Sequence, residues 1–161
     1  MQLQVYLDNA ATTRTYDRVI QKVNKCMSEL YGNPSSMHRM GLLAEEEVKD
    51  ARKIIAKSLD IPSKNIIFTS GGTESNSIAI HGVFEANRRT KNHIISTPIE
   101  HPSVLENIRF LEERRGARVS LCDVNNHGRV CTDDIKRLLS KDTALVSVML
   151  VNNEIGTIQP I

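Results

Sequence analysis

Three short stretches of this chain gather glycine, hydroxyl, carboxylate, imidazole and amide groups directly after apolar runs. Ile66-Ile67-Phe68-Thr69-Ser70 leads into Gly71-Gly72-Thr73-Glu74-Ser75. The run His93-Ile94-Ile95-Ser96 leads, through Thr97-Pro98-Ile99, into Glu100-His101-Pro102. Ala144 to Val151 leads into Asn152-Asn153-Glu154-Ile155-Gly156. A glycine pair lets the backbone take up positive φ and approach a ligand with no β-carbon in the way. Where a helix follows, its unpaired N–H groups and its dipole favour an anion, and Thr73 and Ser75 add hydroxyl donors. The dipole alone contributes about 0.3–1 kcal/mol, or about 2 when partly buried, so hydrogen bonds must supply much of the hold. A flat imidazole such as His101 can stack on an aromatic ring or carry a proton. An amide such as Asn152 can hold a phenolic oxygen.

Each stretch also has a plainer reading. GGTES serves equally as a strand-to-helix turn with Ser or Thr capping. A histidine before proline can be a surface or structural residue, and Asn152 a turn residue. Position sets them together. In open α/β sheets ligands gather outside the carboxyl ends of the strands, and a parallel arrangement would bring all three loops to one edge. Together they describe a phosphate holder, a ring stacker and a ring-oxygen donor.

The elements that would position them follow from the pattern of apolar residues. After a short extended start at Val5 to Leu7, residues 16 to 30 are expected to be helical. The turn YGNPSSMHRMG leads into a second helix from about Leu42 to Leu59, where Ala44, Val48, Ala51, Ile55 and Leu59 form one apolar stripe. From Ile66 onward, short apolar strands (IIF, HIIS, RVSLCDV, ALVSVMLV) alternate with helical stretches near 74–90, 102–115 and 132–140. That alternation predicts an α/β fold with a mostly parallel sheet and flanking helices. The nearly continuous apolar run Ala144 to Val151 predicts a strand covered on both faces. The chain is divided into residues 1–60, an extended segment and helices, and residues 61–161, the α/β part.

The bulk properties exclude other classes. With 161 residues, 40% apolar and 25% charged, the composition suits a globular protein. A balance of 21 Lys and Arg against 19 Asp and Glu leaves too little charge for a nucleic-acid footprint. No run approaches the ~18–20 apolar residues that span a membrane. The start, MQLQVYLDNAATTR, lacks the basic and apolar regions of a secretory signal. Cys26, Cys122 and Cys131 are odd in number and form no CxxC pair, so reduced thiols in a cytoplasmic setting are expected, with no disulfide frame and no metal site. Cys122 is expected in the core, Cys26 on a helix and Cys131 in a loop.

The stretches YLDNAATT, YGNPSS-H, FTSGGTESN, EHPSVLE and VSVMLVNNEIGTIQPI, in this order, resemble the amino-terminal part of the cysteine desulfurases. These belong to the class V aminotransferase group of pyridoxal-phosphate enzymes of fold type I. The resemblance covers the whole chain and implies part of such a large domain. It implies that Gly72 and Thr73 bind the phosphate of pyridoxal 5'-phosphate, that His101 stacks on its pyridine ring, and that Asn152 bonds its phenolic oxygen. It places Ala11, Thr12 and Thr13, with Asn33, near the substrate side of the pocket. The implied reaction takes sulfur from L-cysteine onto a mobile cysteine as a persulfide, releases L-alanine, and passes the sulfur to acceptor or scaffold proteins, commonly for iron–sulfur assembly. Homodimers are implied.

The chain also departs from that family. The Schiff-base lysine and the sulfur-accepting cysteine are expected beyond Ile161, so the 161-residue chain alone is expected to be inactive. Apolar sheet surface is expected to be exposed on it. A selenocysteine lyase, another class V aminotransferase, or a non-catalytic truncated partner chain would share the same loops.

Overall fold

A computed structural model describes residues 5–161. Residues 1–4, which fall within the 1–60 segment, lie outside the described residues. The chain divides into two compact units, Met1–Phe68 and Thr69–Ile161. The first unit runs on past Asp60 because Ile66–Phe68 is fastened within it. The Arg52 Nη1 donates to the carbonyl of Ile66, and the guanidinium lies 4.9 Å from the centre of the Phe68 ring.

The first unit holds helix α1 (Asp17–Ser28), helix α2 (Arg39–Ser58) and a single 3-10 turn at Ser63–Asn65. Asp17 in the first turn of α1 and Lys25 in its last turn both suit the helix dipole. The imidazole of His38 caps α2 by accepting from the Gly41 N–H at 3.3 Å. Two glycines let the preceding turn close onto that helix. A β-carbon at Gly32 would stand 2.2 Å from the Met40 carbonyl oxygen, and one at Gly41 only 2.2 Å from that of Ser36. Alanine normally strengthens a helix interior relative to glycine. Gly41→Ala is nevertheless expected to cost about 1–3 kcal/mol, because the clash is with backbone that cannot swing aside. A lowered urea midpoint would report it, and a raised one would refute it.

The predicted stripe on α2 is only partly buried. Ala44 is buried, as is Ala56, but Val48, Ile55 and Leu59 are exposed. Within this unit α2 packs mainly on the Ser63–Asn65 turn, which is too small to cover a whole helix face. Val5 to Leu7 forms no strand.

The second unit holds α3 (Gly72–Asn87), β1 (His93–Ser96), α4 (Pro102–Arg115), β2 (Arg118–Leu121), α5 (Thr132–Leu138) and β3 (Thr143–Val146). The sheet order is β2-β1-β3 and both pairings are parallel. Ile94 of β1 sits beside Val119 and Leu145 in register. Ile80 and Phe84 of α3, with Val104, Ile108 and Leu111 of α4, pack against that row to form the core. Pro102 opens α4, where its missing N–H costs nothing, and Gly116 at φ 74° ends it in the left-handed conformation.

On the alternate side of β1, His93 is fully buried between two hydroxyls, 3.0 Å from Thr143 Oγ1 and 3.0 Å from Ser120 Oγ. Burial pushes its pKa down, and the Arg118 charge adds to this. In the interval below about 6.5 the unfolded chain therefore binds more protons than the folded one, and stability falls as pH falls. The expected result is a loss of stability between pH 7 and 5 that flattens in His93→Gln. Equal slopes in chemical denaturation at both pH values would contradict it.

Three expected strands differ. Ile66–Phe68 joins no ladder among the described residues. The third strand stops at Val146 instead of running to Val151. Leu150 and Val151 are 59% and 48% exposed. β3 is an edge strand, and beyond Ser147 the chain turns away to pair Val151 with Ile158 in a local antiparallel bridge. RVSLCDV likewise ends as strand at Leu121. Cys122 follows it, buried as expected, while Cys26 lies in α1 and Cys131 is exposed just before α5. No helix among the described residues is long and apolar enough to cross a membrane.

Candidate functional site

The loops after β1 and β3 meet. The buried carboxylate of Glu100 accepts the Met149 N–H, and the Asn152 Nδ2 donates to the Ile99 carbonyl at 2.9 Å. Burial raises the pKa of Glu100, against the pull of the Met149 and Thr97 hydrogen bonds. Asn152 also builds its own turn, its Oδ1 accepting from Glu154 N at 2.9 Å and Ile155 N at 3.0 Å. One amide hydrogen of Nδ2 remains beyond these bonds. Between the loops lies a cavity of about 450 Å³, lined by residues that include His101, Asn152, Glu100 and Ile155. That volume is in the range of small-molecule sites. A roomier concavity of about 600 Å³ lies against α2 in the first unit, but its wall is largely apolar and two of its charged groups, Lys22 and Glu47, are spent on each other.

His101 is held firmly. Its Nδ1 accepts the Ser103 N–H at 3.0 Å and lies 2.7 Å from Ser103 Oγ, which in turn accepts from Asn76 Nδ2 of α3 at 2.8 Å. The buried Ser103 therefore joins the His101 ring to the first turns of α3. Thr73 lies three residues before Asn76 on that helix, outside the lining of the cavity.

At the start of α3, the N–H groups of Gly72, Thr73 and Glu74 have no acceptor among the described residues, as expected for a first turn. Ser75 is not available in the same way: its hydroxyl is 2.7 Å from Thr69 Oγ1. Neither glycine needs positive φ. Gly71 is fully extended at φ 166°, and a β-carbon on either would meet nothing within 4 Å. The positive φ that a glycine pair allows is thus not used here, and the turn is extended with open space in front of it.

Glu74 folds back on Ser70, accepting from its N–H and its hydroxyl, and these bonds lower its pKa. Its charge lies beside any anion at this helix start. Glu74→Gln is expected to tighten inorganic phosphate binding about two- to five-fold, read by ³¹P line broadening. Weaker binding would be the contrary result.

Ala11, Thr12 and Asn33 belong to the first unit. Ala11 and Thr12 donate their N–H groups to the Asp8 carbonyl, each at 3.2 Å, and Thr12 Oγ1 bonds the Tyr6 hydroxyl. Asn33 Oδ1 accepts from Ser35 N at 2.9 Å.

A helix start with three open N–H donors and a threonine hydroxyl suits a phosphate. An imidazole and a spare amide hydrogen on one cavity suit a planar ring with an oxygen substituent. The donor set fits pyridoxal phosphate. Ser103 and Asn76 escaped sequence reasoning. Ser103 reads as an ordinary helix-start serine, and only the packing of α3 on α4 brings Asn76 to it.

The profile of the family described as aminotransferase class-V matches residues 5–161, and the chain belongs to that family. It is 46% identical over 161 residues to the cysteine desulfurase IscS of Dictyoglomus turgidum, a match that takes in 100% of this chain and 41% of that protein. The chain thus spans about two fifths of the length of this curated relative. Among solved structures, a NifS-like protein superposes with a TM-score of 0.93 at 42% identity, over 98% of this chain and 43% of that one. A structure described as SspA in complex with cysteine superposes with a TM-score of 0.86 at 34% identity, over 94% of this chain and 43% of that one.

Proposed function

We propose that this chain is the part of a cysteine desulfurase that holds the phosphate and ring of pyridoxal 5'-phosphate. The complete enzyme would take sulfur from L-cysteine and release L-alanine. The observation that carries the reading is the single cavity bearing His101 and Asn152, with His101 hydrogen-bonded through Ser103 to the helix whose first turn offers free donors. The relatives' names and the cysteine held by one structural neighbour support the substrate.

In this reading the N–H groups of Gly72 and Thr73, with the Thr73 hydroxyl, bind the phosphate. His101 lies against the ring, and the spare hydrogen of Asn152 Nδ2 meets the phenolic oxygen. The coenzyme, when bound, supplies the electron sink for cleavage of the substrate's carbon–sulfur bond. His101 Nε2, the ring nitrogen not engaged by Ser103, is the atom able to hold or move a proton there. A substrate-side role for Ala11, Thr12 and Asn33 belongs to the same proposal. Sulfur-acceptor proteins, a role in iron–sulfur assembly, a homodimeric complete enzyme and a cytoplasmic location belong to the same proposal. The three free thiols suit a reducing compartment.

The test uses the complete polypeptide. Added pyridoxal phosphate should produce a visible absorbance band, and L-cysteine should yield alanine. Absence of both would overturn the proposal.

A further inference from the structure

We infer that Ser103 and Asn76 are positioning residues that hold the His101 ring in its Nε2–H tautomer and in one plane on the cavity wall. This deepens the reading above and rests on it for its catalytic meaning. The structural part stands by itself.

The argument begins at a backbone amide. The Ser103 N–H can only donate, and it points at His101 Nδ1 from 3.0 Å. Nδ1 must therefore present its lone pair, which leaves the ring proton on Nε2. Ser103 Oγ lies 2.7 Å from the same nitrogen. Since Nδ1 is an acceptor, the hydroxyl must donate to it, and the hydroxyl oxygen is left to accept. Asn76 Nδ2 fills that place at 2.8 Å, which also fixes the orientation of the Asn76 amide. The three groups form a one-way chain of donors from α3 through α4 to the imidazole.

The chain has a stiff base. Ser103 is buried, and its carbonyl accepts from Asn107 Nδ2 at 2.6 Å. Asn107 Oδ1 in turn lies 2.9 Å from His81 Nε2 of α3. The two helices are thus cross-linked by polar groups at Ser103 and again one turn further on at Asn107. Rotation of the imidazole about its own bond would break two contacts at Nδ1 at once. A ring that must lie flat against another ring gains from such restraint, because its orientation is fixed before the ligand arrives. The proton on Nε2 is likewise presented on the atom that the chain leaves unengaged.

Long-range ¹H–¹⁵N spectra of the 161-residue chain would test this without any cofactor. His101 is assigned by the signals lost in His101→Gln. The expected spectrum at mildly alkaline pH shows Nδ1 as a bare, pyridine-like nitrogen and Nε2 as protonated. Ser103→Ala should shrink the separation of the two nitrogen signals by about half or more, as the tautomers begin to average. Ser103→Thr should restore it. Asn76→Ala should shrink it to a lesser degree and covers the case in which Ser103→Ala fails to fold.

A protonated Nδ1 in the unsubstituted chain, or an unchanged separation in both alanine variants, would overturn the inference. A merely structural serine would lower the melting temperature without moving the nitrogen signals. In the complete polypeptide, Ser103→Ala should weaken pyridoxal phosphate several-fold while leaving inorganic phosphate binding unchanged. Equal affinity for pyridoxal phosphate would remove the positioning role. A fixed tautomer in a protein that binds no pyridoxal phosphate would sink the proposed function and leave the ring-holding chain intact.

Discussion

Phe84→Ala is expected to reduce the stability of the second unit by about 3–5 kcal/mol, the range for truncating a buried aromatic side chain. Phe84 is only 1% exposed and sits in the cluster that α3 and α4 press onto the Val119–Ile94–Leu145 row of the sheet. The loss has two parts: the transfer energy of the ring, and a cavity that neighbours on two helices and a sheet cannot all move to close. Domains of this size are stable by only about 5–15 kcal/mol, so the substitution removes a large fraction of the total. In thermal unfolding the midpoint should fall by some tens of degrees, at about 4–8 °C for each kcal/mol. A drop of only a few degrees would mean that the core can repack around the gap. Phe84→Leu keeps most of the volume and should cost far less.

The second large effect is expected at Asn152, whose side chain makes three hydrogen bonds and lines the cavity. Asn152→Leu strips partners from the Ile99 carbonyl and from two backbone N–H groups. Each buried group left unpaired costs about 1–3 kcal/mol, and some of the turn will be rescued by water. A net loss of about 2–4 kcal/mol is the expected result in denaturant titration.

Asn152→Asp keeps the acceptor role of this residue in its turn and removes its donor role. The carboxylate can still accept from Glu154 N and Ile155 N, so the turn survives, but it can donate neither to the Ile99 carbonyl nor to a ring oxygen. In the complete polypeptide, pyridoxal phosphate affinity should then drop about 10- to 100-fold, the worth of one hydrogen bond to a charged acceptor. An Asn152→Asp protein that binds the coenzyme normally would show that Asn152 only shapes its loop.

Much of this arrangement was legible in the amino-acid string because local chemistry decided it. Pro102 and Gly116 bracket α4, and the helix occupies the interval between them. The strand HIIS was recognisable because the central strand of a sheet is covered on every side, and all four of its residues are buried. Outer segments were harder to read. Ile66–Phe68 and Met149–Val151 are as apolar as β1, yet no described neighbour pairs with them in the sheet, and composition cannot say which strand lies at an edge. His101 and Asn152 stood out by type and position. Ser103 and Asn76 did not, since 27 positions separate them and only the seating of one helix on another brings them together. The glycine pair allows both a positive-φ turn and an open approach, and only the structure shows that the second is used.

The order in which the sheet can assemble is written into its strand order. β1 leaves the ribosome before either of its neighbours, and the contact between His93 and Thr143 spans 50 positions. Until β3 has been synthesised, one side of β1 has no strand to pair with, and a nascent chain in that state presents a sticky ribbon to its surroundings. Such long-range parallel pairing is slow to close and exposed while it waits. The growing polypeptide thus has an interval in which α3, α4 and β2 are already made but one side of β1 must wait for β3 or be shielded by a chaperone.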